Sequence, residues 1–211
     1  MVTRLKVPNP ENLEEEAATD EEKVIAASTK LPAKFWWYMI FSFFCIAGFA
    51  HFQIISYHFK VKSVITDLQI PMFYAIAMGV DAVVALIAGK VYDKIGLKTL
   101  LLIPLLTVPI PFLAFTYSFQ AALISVILWG AVMGVQETIM RATIADITPR
   151  GRRGFAYGIF NTAYGASWFA GSLLMGFLYD TNIHYMIWFV LIMETLAFLT
   201  FWGFHKKLQL N

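Results

Sequence analysis

One cysteine, Cys45, is all the chain carries in 211 residues, so no disulfide can form within it and no cysteine-based metal site can be built. Charge is scarce too, at 14% of residues, where a soluble domain carries about 25%. The net charge is only +2, and no basic run with interleaved aromatics lies outside the loops, so nucleic acid is not an expected partner. Also missing are a metal-ligand spacing, a glycine-rich phosphate loop, a nucleophile elbow and a glycosidase-type pair of carboxylates. No metal or cofactor is therefore expected, and the chain does not read as an enzyme. Residues 1–34 show no cleavable signal pattern, being polar and rich in glutamate.

What the sequence does hold is apolar: 59% hydrophobic and 16% aromatic residues, with a mean hydropathy of +0.65. So much apolar surface does not stay dispersed in water, which makes a lipid bilayer the expected surroundings. After a polar, acidic arm at 1–34, six apolar segments run at 35–57, 71–91, 99–116, 119–140, 155–178 and 185–204, before a short tail at 205–211. Each is near the roughly 20 residues that a helix needs to cross about 30 Å of hydrocarbon. The runs are continuous, without the period-two alternation of barrel strands, so the expected class is an all-α integral membrane protein of six transmembrane helices. Pro104, Pro109 and Pro111 predict a kink in the third segment.

The cationic turns give an orientation. With the N-terminus in the cytoplasm, that side receives Lys90, Lys94, Lys98, Arg150, Arg152 and Arg153, while the opposite side receives only Lys60 and Lys62. Both termini are then expected in the cytoplasm, and the stretch Phe35-Trp36-Trp37-Tyr38 and Tyr179 and Tyr185 are expected in the interfacial aromatic belts. Gly89-Lys90-Val91-Tyr92-Asp93 closes the second segment, and Gly176-Phe177-Leu178-Tyr179-Asp180 closes the fifth on the opposite face. Two three-helix repeats of inverted topology would produce such an echo.

Two loops carry a family resemblance. The first, Gly89-x-x-x-Asp93-Lys94-x-Gly96-Leu97-Lys98, resembles the signature of the major facilitator superfamily, although Leu97 stands where a basic residue is usual. Independently of any family, Gly89 lets a second helix approach and Gly96 permits a tight turn. Asp93 can face a helix N-terminus. The second loop, Asp146-Ile147-Thr148-Pro149-Arg150-Gly151-Arg152-Arg153-Gly154 running into Tyr157-Gly158, is similar to that between the tenth and eleventh helices of a complete transporter of this superfamily. The resemblance spans residues 35–204 and implies the C-terminal six-helix half of such a protein, with the arm at 1–34 resembling its central cytoplasmic loop.

Within the apolar segments, Gly130 and Gly134 in the fourth, and Gly158, Gly165 and Gly176 in the fifth, are expected at close helix–helix contacts. Three acidic charges lie inside the segments, Asp81, Glu137 and Glu194, and Arg141 stands one residue past the end of the fourth. Each costs about 2.5–3.5 kcal/mol at a helix centre on insertion scales, so each calls for a partner or a role. Glu137 and Arg141 stand four apart and are expected to pair, with Asp146 nearby. Asp81 is the candidate carrier of a coupled proton, and Glu194 follows the same logic. His51, Gln53, Tyr57 and His58 make the outer half of the first segment polar, placing it either along a cavity or at the interface.

The resemblance implies a secondary transporter component of the plasma or inner membrane, working by alternating access, with Asp93 docking onto the other half. A separately encoded half or a truncated product would need a partner half or a second copy of itself. The scarcity of interior charge leans toward a small organic, weakly charged or amphipathic solute. A non-transporting scaffold or regulatory remnant of a transporter gene is the alternative.

Overall fold

A computed structural model describes residues 31–209, and the described residues are all helical or connecting. The helices are α1 (Ala33–Gly48), α2 (Phe52–Val61), α3 (Gln69–Ile95), α4 (Leu102–Thr107), α5 (Pro109–Ala114), α6 (Phe119–Ile147), α7 (Arg153–Thr181) and α8 (Ile183–Gln209). Short 3-10 turns at Gly96–Leu101 and Arg150–Arg152 link α3 to α4 and α6 to α7. Most of the arm at 1–34, and the last two residues of the tail, lie outside the described residues.

Among the described residues, four helical stretches are long and apolar enough to cross a membrane: Ala33–Val61, Gln69–Ala114, Phe119–Ile147 and Ile183–Gly203. α7 is as long as α6, at 29 residues, but its glycines, serines and Asn161 dilute its apolar character. The 46 residues of Gln69–Ala114 are far more than one crossing of about 20 residues requires. This stretch doubles back at Gly96, where φ is +61°, a backbone region that glycine enters without penalty. Phe119 lies against Phe73 at 5.5 Å, so the chain has returned to the end where α3 began.

α3 and α6 run parallel. A Cβ on Gly130 would strike the carbonyl of Ala77, and one on Gly134 would stand 2.6 Å from the Asp81 carbonyl oxygen. Two more such crossings hold α1. A Cβ on Gly171 of α7 would lie 2.5 Å from the Ala47 carbonyl, and one on Gly48 would lie 2.7 Å from Met193 Cβ of α8. Only bare backbone fits at these points, and in lipid such close packing replaces the hydrophobic effect as the force joining helices.

The helices overrun the apolar segments expected from sequence. α6 continues past Met140 to Ile147, and α8 past Phe204 to Gln209 into the expected tail. Hydropathy marks where hydrocarbon ends, whereas the backbone keeps its helical hydrogen bonds until a stop such as Gly96 or the Thr148-Pro149 step intervenes. Phe35 and Tyr38, expected at the interface, are fully buried, and Tyr38 donates a 2.8 Å hydrogen bond to the Met140 carbonyl.

Candidate functional site

The first span is not one helix. α1 stops at Gly48, α2 starts at Phe52, and residues 49–51 between them are extended and buried. Unwound backbone inside a membrane needs partners for its polar groups. Trp129 Nε1 of α6 supplies one, donating to the Ala50 carbonyl at 2.9 Å, while Phe49 stacks on the Trp129 ring at 5.5 Å. His51 caps the start of α2 and is 3% exposed.

The His51 ring stacks on Trp168 of α7 with centroids 4.1 Å apart, and its Nε2 lies 3.1 Å from the Trp168 carbonyl oxygen. A carbonyl only accepts, so Nε2 carries the proton of this bond. The other ring nitrogen, Nδ1, is buried with no hydrogen-bond partner. Beside this pair opens a cavity of about 480 Å³ between α2 and α7, whose walls include His51, Gln53, Tyr57, Trp168, Met175 and Asp180. A neighbouring recess of about 580 Å³ shares Tyr57, Tyr179 and Asp180 and adds His58 and Lys62. His58 Nδ1 and the Tyr179 hydroxyl share a 2.8 Å hydrogen bond between them.

The opposite end of the bundle gathers the two loop motifs. Tyr92 donates a 2.8 Å hydrogen bond to Asp146 Oδ2, tying the end of α3 to the last turn of α6. Arg153 donates from Nε and Nη2 to the Ala145 carbonyl at 3.1 and 2.8 Å, placing a cation on the negative end of α6. Asp93, Lys94, Lys98 and Arg150 are exposed there, and Arg152 is half-buried. Gly89 makes ordinary contact, its Cβ position being 3.9 Å from Thr138 Cγ2.

The intramembrane charges divide into two groups. Asp81 lies against Gly134 of α6, the helix that carries Glu137 and Arg141. The expected Glu137–Arg141 ion pair does not form; among the described residues the ion pair is Lys60–Asp67, at 3.3 Å. Glu137 and Arg141 are exposed, and the Arg141 backbone carbonyl accepts a 2.9 Å hydrogen bond from the Tyr157 hydroxyl. Asp146, expected near them, is taken by Tyr92. Glu194 is 1% exposed, packed against Gly48, with neither carboxylate oxygen hydrogen-bonded.

The small-residue stripe on α7 also differs from expectation. Cβ positions on Gly158, Gly165 and Gly176 meet nothing within 4 Å, and the close contact falls on Gly171 instead. Sequence reading passed over Trp129, Tyr164 and Trp168. The available signal was the i, i+4 pair Tyr164 and Trp168 on a helix otherwise rich in small residues, whose rings stack at 5.8 Å.

A bundle of membrane-length helices with a broken span beside a largely aromatic and apolar cavity is an arrangement that membrane transporters use. Comparison with known families is direct: residues 37–208 match the Major Facilitator Superfamily, and the chain belongs to that family. Similar proteins include uncharacterized proteins of Mycobacterium tuberculosis and Mycobacterium bovis, each 35% identical over 192 residues. The match takes in 91% of this chain and 47% of theirs, so the chain spans about half the length of these relatives.

Proposed function

We propose that the chain is a six-crossing half of a secondary transporter that moves a small organic solute by alternating access. The observation that carries this reading is the break in the first span, which puts the buried His51 in the wall of a cavity in a chain of the Major Facilitator Superfamily. The reversal at Gly96 supports two crossings within Gln69–Ala114, and α7, as the fifth in chain order, brings the total to six. The end holding the Lys94 and Arg152 turns faces the cytoplasm of the plasma or inner membrane, by the bias of Lys and Arg.

A second six-helix half covers the side that carries Asp81, Glu137 and Arg141. The open positions of Gly158 and Gly165 support this, as does the match to only 47% of the relatives' length. In this arrangement Asp93 docks on that second half, and Asp81 carries a coupled proton.

The test is uptake by proteoliposomes holding the full chain, alone and with the remaining half of a relative, from a radiolabelled panel of amines, amino acids and sugars. Asp93→Asn should reduce uptake at least about tenfold, or about 1.4 kcal/mol, at unchanged insertion. Asp81→Asn should abolish accumulation driven by a pH gradient while sparing downhill exchange. Wild-type uptake by both variants would remove these two roles.

A further inference from the structure

We propose that the cavity at the break of the first span binds an organic amine with an aromatic body, taken as its ammonium, and discriminates against organic anions. This names the solute class for the transporter reading and rests on that reading only for the claim that the bound amine is carried.

Three features of the wall ask for the same chemistry. The first is a hydrogen-bond acceptor without a donor. With the His51 proton held on Nε2 by the Trp168 carbonyl, the neutral ring presents Nδ1 as a lone pair. That atom is buried and unpartnered, so this part of the wall holds acceptor capacity and offers an anion no free N–H. The second is charge. Asp180 is the one formally charged side chain among the lining residues, and it is an anion. Lys62 lines the neighbouring recess beyond His58 and not this cavity. The third is the aromatic wall: the rings of Tyr57, Trp168 and Tyr179 all border the space, and aromatic faces attract cations. Ile54 and Met175 complete an apolar floor for a ring body. At about 480 Å³ the volume falls within the range of about 300–1,000 Å³ usual for small-molecule sites.

The experiment is equilibrium dialysis of the purified full chain in lipid nanodiscs against three radiolabelled indoles of matched shape, with empty nanodiscs subtracted. Tryptamine supplies the ammonium, tryptophol the neutral analogue and indole-3-acetate the anion. Tryptamine should bind at least about tenfold more tightly than indole-3-acetate, equivalent to about 1.4 kcal/mol, with tryptophol between them. Asp180→Asn, an exposed position, should bring tryptamine and tryptophol to similar affinity, and Tyr57→Leu should weaken tryptamine most. Equal or tighter binding of indole-3-acetate, a preference that survives Asp180→Asn, or no binding of any indole overturns the proposal. Binding and transport separate cleanly. Amine preference without uptake in proteoliposomes leaves the site and removes carriage, whereas uptake of other solutes without amine preference leaves the transporter and removes this class.

Discussion

Glycines of one sequence type do two different things here. Gly130 and Gly134 stand where α6 presses its backbone onto α3, while Gly158 stands in open space on α7. Gly130→Ala would drive a methyl into the Ala77 carbonyl, and overpacking of this kind typically costs about 1–3 kcal/mol. Gly158→Ala should be neutral or stabilising by up to about 1 kcal/mol, the difference in helix propensity. Thermal unfolding of both variants in detergent checks the contrast, and equal melting points would disprove the α3–α6 contact. Both glycines look alike in sequence, because small residues mark helix contacts without saying which of them is covered. The polar first span was legible at the residue level, since His51, Gln53, Tyr57 and His58 crowd its outer half. The stacking partner Trp168 was not, because it lies 117 residues away.

At the scale of elements, the two echoing segments end in the same kind of tie at opposite ends of the bundle. Tyr92 joins α3 to Asp146 of α6, and Tyr179 joins α7 to His58 of α2. Each tyrosine ties the end of its own helix to a helix distant from it in sequence. A double-mutant cycle with Tyr92→Phe and Asp146→Asn, read by unfolding in mixed micelles, should give a coupling of about 0.6 kcal/mol and no more than about 1.7, the range for hydrogen bonds between membrane helices. A coupling indistinguishable from zero would mean that the bond ties nothing. The third segment shows why proline positions were informative. Pro109 opens α5, where its missing N–H is harmless, and Val108 before it keeps a helical backbone, so the interruption falls at the prolines.

At the scale of the molecule, the arrangement predicts sidedness. Cys45 is fully buried, so a Cys45→Ala background carrying single cysteines at Lys94, Arg152 or Lys62 reports topology without interference. Membrane-impermeant maleimide should reach Lys94 and Arg152 from the same side and Lys62 from the other. Labelling of the first two from opposite sides would dismantle the six-crossing reading.

The sequence by itself determined that the chain is helical and apolar enough for a membrane, and the family, because apolar run length, turn residues and loop motifs are local properties of the chain. Only the tertiary structure decided which faces meet, and hence the break at 49–51 held by Trp129, the His51–Trp168 stack and the covered Gly171 in place of Gly158. The physical reason is the solvent: against lipid, outward and inward positions are both apolar, so the periodicity that marks the buried face of a helix in water falls silent. What remains to select the packed face is the fit of backbone against backbone and of polar groups against their partners. Both are set between residues far apart in the chain.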